Sequence, residues 1–351
     1  MEGLTKRQLA VLSAVINNYS QSGEPVGSKT ILPAFDGQLS SATLRAEMSE
    51  LCEQGYLEQP HTSSGRIPTA KGYHLYIDRL MPRQTLTDIQ CRAIDDLLPR
   101  NEDDPRRLLD IAAHHLAELT DLTTLSTTPA DSSATLVKAQ VFLMNETTVL
   151  IVAVSSHGII KNKVCRSDFV VSDQMVLAFH KLVDQFLLHK PLGELSRAAA
   201  QTLAACGGEY LLELTPLIVG LFDLIVDLSE LEYKLGGQAN LLRHKEYGHE
   251  QARDMLEFLS RHDLVLPLLV GFGDGVHLGD ETDIPALRDS SVVLASYGAN
   301  GGPLGKIGII GPIRMNYQSI IPRLSYFAEK LGFLIKDAAG HLEGDNNAKK
   351  E

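Results

Sequence analysis

The chain has 351 residues, 44% of them hydrophobic and 22% charged, which suits two or three folded domains and excludes a disordered polymer. No apolar run approaches the roughly 20 residues that cross a bilayer, and MEGLTKRQLA lacks the apolar stretch of a signal peptide, so a cytoplasmic protein is expected. The net charge of −12 argues against nucleic acid, yet residues 1–83 balance eight basic against eight acidic side chains, leaving the acidity downstream.

Leu9, Leu12, Ile16 and Tyr19 recur at helical spacing, predicting a first helix over about 5–20 with Thr5 as its N-cap and SGEP (22–25) as its end. GSKTILPA fits a short second helix closed by Pro33. SSATLRAEMSELCEQGYL gives a third, capped by Ser40 or Ser41. Its inward stripe is Leu44, Met48 and Leu51, and Gly55 sits where a C′ glycine belongs. Three such helices with short turns predict a helix-turn-helix unit.

The outer face of the third helix carries Ala42, Ala46, Ser49 and Glu53, flanked by Thr43 and Arg45. Small residues let a backbone approach base edges, and Arg can bridge guanine O6 and N7, as a recognition helix requires. An ordinary solvated face accounts for the same residues. After Gly55, YLEQP, HTSSG and RIPT read as two short strands around a Ser-Gly turn, which Pro60 and Pro68 confine to edge positions. A hairpin directly after a recognition helix is a wing, with Arg66 and the turn hydroxyls along the DNA backbone or in the minor groove. The other reading is a surface hairpin with an idle Arg. Thr69 then caps a helix through GYHLYIDRLM with Tyr73, Ile77 and Leu80 on one side.

Residues 82–107 are charged and punctuated by Pro, a helical connector, and the helical pattern continues through Leu108, Ile111, Ala112, His115 and Leu119. His114 and His115 diverge by about 100° on a helix and cannot easily share a metal ion. Cys52, Cys91, Cys165 and Cys206 are too scattered for a disulfide framework or zinc site, so neither metal nor cofactor is expected. From residue 135, TLVKAQVFLMN, TTVLIVAVSS and GIIKNKVCRS are strand-like, resumed by SSVVLASYG and GKIGIIGPI, which predicts one shared α/β sheet. VLIVAV (149–154) and LVLPLLVGF (264–272) read as core strands within it or beside it. Residues 172–270 are otherwise mostly helical, and GEYLLELTPLIVGLFDLIVDLSELE is apolar around much of its circumference, demanding an internal core or a partner surface. NGGPLGK (300–306) fails as a phosphate loop at Asn300 and Ile307, and GFGDGVHLGD (271–280) follows no dinucleotide fingerprint, so both are expected to be loops. The tail EGDNNAKKE is expected to be disordered.

Several of these strings resemble the heat-inducible transcription repressor HrcA family. They are LTKRQLAVLSAVINNYSQSGEPVGSKT, SSATLRAEMSELCEQGYLEQPHTSSGRIPTAKGYHLYIDRLM, GKIGIIGPIRMNYQSII, VHLGDETD, SSVVLASYG and GGQANLL, spanning about Leu4 to Ile335. The resemblance implies an α+β multidomain protein: a winged helix-turn-helix over 1–83, a linker over 84–107, and a GAF-like domain over 108–171 and 271–340. A mainly helical dimerisation domain would be inserted at 172–270, with a tail over 341–351. It implies a homodimer on an inverted-repeat operator of chaperone genes, no enzymatic activity, no membrane, and a GroEL-type chaperonin as partner. Activity would fall under heat stress. The DNA-binding residues implied are Ser28, Lys29, Ser41, Thr43, Arg45, Ser64, Gly65, Arg66 and Lys71. The chain departs from the family at Ala46, where Asn commonly follows the helix Arg.

Overall fold

Helix α1 (Lys6–Ser22) starts where Thr5 and Gln8 cap one another and stops where Gly23 turns left-handed at φ 69°. It opens a computed structural model that describes residues 3–61, 64–99, 102, 104–129, 134–195, 199, 211–299 and 302–344. Helix α2 (Ser28–Ile31) runs into a 3₁₀ turn, Leu32–Phe35, so Pro33 continues the helical path instead of closing it. An early helical position asks no N–H of Pro, which is why the ring is accommodated. Helix α3 (Ser41–Glu53) is capped by Ser40, whose hydroxyl accepts the Thr43 N–H at 3.1 Å. Leu44, Met48 and Leu51 are buried as the spacing predicted, each apolar side chain contributing about 1.5–3 kcal/mol.

Strands β1 (Leu57–Glu58) and β2 (Ile67–Pro68) pair antiparallel. Thr69 caps α4 (Ala70–Leu75), which widens into a π turn over Tyr76–Leu80. Tyr73 and Tyr76 are both buried, with Ile77 and Leu80 half-buried against the same core. The Tyr76 hydroxyl donates to Asn17 Oδ1 at 2.6 Å, fastening this turn to α1. The connector contains α5 (Asp88–Asp95), followed by α6 (Pro105–Thr120). The buried stripe of α6 includes Leu109, Ala113 and Leu116, which the sequence pattern had left out, while His114 and His115 both pair with Glu118 outside.

β3 (Thr123–Thr127) is followed by β4 (Leu136–Asn145), β5 (Thr148–Ser155) and β6 (Ile160–Arg166), then α7 (Asp173–Phe186) and α8 (Leu211–Ser229). β7 (Tyr233–Gly236) precedes α9 (His249–Ser260), α10 (His262–Gly271) and β8 (Gly275–Leu278). β9 (Ser290–Ala299), β10 (Gly302–Pro312) and α11 (Tyr317–Gly344) complete the mixed α/β fold.

The strands do not share one sheet. β7-β3-β10-β9-β8 form a five-stranded antiparallel sheet, and β4-β5-β6 a separate three-stranded one. Alternation foretold β4, β5, β6, β9 and most of β10 but not their partners, and it gave no sign of β3, β7 or β8. β4–β6 satisfy their apolar face against α7 and α8, so closely that a Cβ on Gly220 would meet Cys165 Sγ. Since β3 and β7 are hydrogen-bonded neighbours, the described residues between Thr127 and Tyr233 form an excursion from the larger sheet.

Three further expectations are corrected. LVLPLLVGF is largely helix α10, with Val265, Leu268 and Leu269 buried at helical spacing, because a short apolar run has no period of its own to separate strand from helix. From Gly302 onward NGGPLGK is strand β10, and Asn300 and Gly301 lie outside the described residues. Lys306 donates from Nζ to the carbonyls of Leu269 (2.7 Å) and Phe272, satisfying the exposed end of α10. GFGDGVHLGD supplies β8 and a 3₁₀ turn at Gly279–Glu281. The last turn of α11 takes in the start of the expected disordered tail, and residues 345–351 lie outside the described residues.

One hydrophobic core runs from α1 and α3 through Tyr73 and α6 to β9, β10 and α11. Tyr73 and Tyr317 meet edge-on at 6.0 Å inside it. α8 buries Leu214, Leu217, Leu221, Ile225 and Leu228 against its own sheet. The opposite face of that sheet leaves Phe142, Met144, Ile160 and Val164 49, 63, 48 and 59% exposed.

Candidate nucleic-acid interface

The exposed residues of α3 are Ala42, Arg45, Ala46 and Ser49 toward its N-terminal end, small residues around one cation, with Glu50 and Glu53 exposed further along. Two of its acids are held toward α1: Glu47 pairs with Arg7 at 3.2 Å and Glu50 accepts the Gln8 amide at 2.6 Å. Glu53 is exposed near the C-terminal end of the helix, so the carboxylate-free part of the outer face is its N-terminal half, around Arg45. Ser41 and Ser28 join hydroxyls at 2.9 Å, fixing the start of α2 to the start of α3, and Thr43 shares a 2.9 Å bond with Ser40.

The hairpin is seated by a third short strand that the sequence reading missed. Val26 and Arg66 exchange both backbone hydrogen bonds at 2.9 Å, an antiparallel bridge that adds the GEPV segment to the hairpin edge. Gly65 is required there, because a Cβ would lie 2.5 Å from the Val26 carbonyl and 2.6 Å from Pro25. The signal in the sequence was Pro25, which favours extended backbone and donates no N–H of its own. At the tip, the Ser64 hydroxyl donates to the His61 carbonyl at 2.7 Å and accepts the His61 N–H at 3.0 Å. Thr62 and Ser63, the other turn hydroxyls, lie outside the described residues.

Between α2, α3 and the hairpin lies a polar cleft of about 390 Å³. Five residues singled out in the sequence line it: Ser28, Arg45, Ser64, Gly65 and Arg66. Gln59 and Met48 line it too and were not anticipated as site residues; the Gln59 amide donates to the Ser64 carbonyl at 3.2 Å. Arg66 turns back beside the Cys52 thiol instead of standing clear of the hairpin, and its buried Nε has no hydrogen-bond partner among the described residues. Burial raises the Cys52 pKa, and the neighbouring guanidinium pulls it partly back. Among the described residues no carboxylate lines the cleft that Arg45 and Arg66 face.

The remaining sequence candidates fall outside this cleft. Lys29 is exposed on α2. Lys71 donates to the Gln54 carbonyl at 2.9 Å and lies 4.3 Å above the Tyr56 ring, closing the C-terminal end of α3. Ala46 offers the exposed face a methyl group and nothing that donates or accepts. Among the described residues, no three His, Cys, Asp or Glu side chains converge as a metal site would require, and no helix is long and apolar enough to cross a membrane.

Residues 106–321 match the family model for the HrcA protein C-terminal domain. Relatives described as heat-inducible transcription repressor HrcA span the chain: that of Lachnoclostridium phytofermentans is 33% identical, covering 95% of this chain and 98% of its own. That of Clostridium tetani is 32% identical over 95% and 96%, respectively. A crystal structure described as a hypothetical protein superposes with a TM-score of 0.68 at 23% identity, covering 96% of this chain and all of its own.

Proposed function

This chain belongs to the HrcA family, and we propose that it represses heat-shock chaperone genes by occupying an inverted-repeat operator as a homodimer. The observation that carries the reading is the cleft where Arg45 of α3 and Arg66 of the hairpin face one opening that no carboxylate among the described residues lines. Occupancy, not catalysis, is the mode of action. Residues 1–83 act as a winged helix: α3 enters the major groove, where its small face allows approach and Arg45 reads guanine. The hairpin tip runs along the backbone, and Arg66 swings out from Cys52 to reach phosphate or the minor groove.

In this reading the five-stranded sheet with α6 and α9–α11 is the GAF-like domain, and residues 84–107 link it to the winged helix. The inserted unit is the excursion between Thr127 and Tyr233, starting and ending earlier than the expected 172–270, because it carries its own sheet and core. Its outer apolar sheet face, with Phe142, Met144, Ile160 and Val164, supports self-association on a two-fold axis. Two winged helices would then meet half-sites separated by whole turns of DNA, about 34–36 Å or a multiple. The protein works in the cytoplasm, a GroEL-type chaperonin sustains its active form, and heat stress releases the operator.

A gel-shift titration at fixed salt tests the reading. The full chain should bind a duplex carrying the inverted repeat upstream of its own chaperone genes at least about 1,000-fold more tightly than a scrambled duplex, the lower end of the range of about 10³–10⁷ usual for specific readers at physiological salt. Equal affinity for both duplexes would overturn it.

A further inference from the structure

A second cleft, of about 230 Å³, opens where the end of α1 meets the end of α6 and the start of α11. Three basic side chains line it: Arg314, Arg323 and His244. Arg314 is paired with Glu246 through Nε and donates from Nη1 to the Ser20 carbonyl at 3.2 Å. Arg323 donates to the Leu119 carbonyl at 3.3 Å, and among the described residues no carboxylate pairs with it. A guanidinium has five N–H donors, so both arginines keep donors for an occupant. Ser319 adds a hydroxyl to the lining, and among the described residues no acid lines it.

We propose that this cleft binds a small oxyanion, of phosphate or carboxylate chemistry, held by Arg314 and Arg323 at the junction of the helix-hairpin unit and the body of the protein. Two guanidinium groups around one hollow repel each other unless negative charge lies between them, and Glu246 compensates only one. The volume is below the roughly 300–1,000 Å³ of sites for drug-sized ligands, which fits a small anion and excludes a nucleotide. Burial first, and Arg314 further, lower the His244 pKa against the hydrogen bond to the Asp121 carbonyl, and an anion in the cleft would raise it.

The occupant would touch both parts of the molecule. Ser20 belongs to the last turn of α1, and a Cβ on Gly23 would lie 3.1 Å from Arg314 Nε. Filling the cleft therefore stiffens the seat of the DNA-reading unit. That consequence rests on the repressor reading; binding of the anion does not.

The test is calorimetric titration of the full chain with inorganic phosphate at constant ionic strength, with malonate in a parallel arm to separate phosphate from carboxylate preference. The expected result is saturable binding of one anion per chain, weakened at least tenfold in Arg323→Gln and unchanged in Arg66→Ala, whose cation lies in the DNA cleft. Unfolding curves establish that Arg323→Gln is folded. No saturable binding of either anion, equal binding by Arg323→Gln, or loss of binding in Arg66→Ala would each overturn the proposal. Binding that follows the expected pattern while operator affinity is absent leaves the site standing and removes the repressor reading.

Discussion

Gly65 and Val26 touch backbone to backbone: any Cβ on Gly65 would sit 2.5 Å from the Val26 carbonyl. The contact explains why two separated strings, GEPVGS and HTSSGR, act as one structural unit. Gly65→Ala should push the hairpin off the Val26 edge and break the two 2.9 Å bonds between Val26 and Arg66. We expect a destabilisation of about 1–3 kcal/mol by urea unfolding, together with an operator affinity reduced at least tenfold. Wild-type values for both would show that the hairpin position is unimportant.

Arg45 and Arg66 should fail in different ways. Arg45→Ala is expected to cost about 1–3 kcal/mol of preference at one operator position, while other positions keep their hierarchy. Arg66→Ala should weaken binding across all sequences and lower the salt slope by about 1. Affinities for single-base operator variants, measured at several salt concentrations, check both.

Lys306 is a helix cap in this fold and not a phosphate ligand. Lys306→Met leaves the carbonyls of Leu269 and Phe272 without their donor, a loss of about 1–3 kcal/mol in stability. Nucleotide affinity should be nil before and after the change, as measured by equilibrium dialysis with ATP.

The outer face of the three-stranded sheet should set the oligomeric state. Val164→Lys places a charge on this face at a side chain already 59% exposed, so the monomer tolerates it and an interface does not. Sedimentation should report a dimer for the native chain and a shift toward monomer for the variant. A dimer that withstands Val164→Lys would locate the contact elsewhere.

His244 gives stability a dependence on pH. Its folded-state pKa is depressed, chiefly by burial, below the ordinary value of about 6.5. The unfolded chain therefore takes up a proton as pH falls through that value while the folded chain resists. This contribution is level above about pH 6.5 and turns against the fold on the acid side. His244→Asn should show a smaller loss of urea midpoint than the native chain between pH 7.5 and 5.5.

The first eighty residues were the most legible part of the sequence, because their signals are local. Thr5, Ser40 and Thr69 cap the helices they were expected to cap, and Leu44, Met48 and Leu51 face inward. What local pattern cannot carry is pairing at a distance. Residues 136–166 read as strands and were strands, but whether Ile151 would face α8 or β10 depends on contacts between residues far apart in sequence. The same limit hid the Val26 edge and the bend of Arg66 toward Cys52, both set by what packs beside them. Arg314 and Arg323 came together only through the turn between β10 and α11, so no spacing announced their cleft.

Tyr73 finishes its packing against Tyr317, a residue near the opposite end of the chain. During synthesis the N-terminal helices leave the ribosome long before that partner exists. Their core, shared with α11, stays open until the last helix has emerged. A chain cut short before α11 would display α3 and the hairpin on an unfinished support. In the proposed role, a chain that ends before α11 presents its DNA-reading unit without the Tyr317 side of the core it packs on.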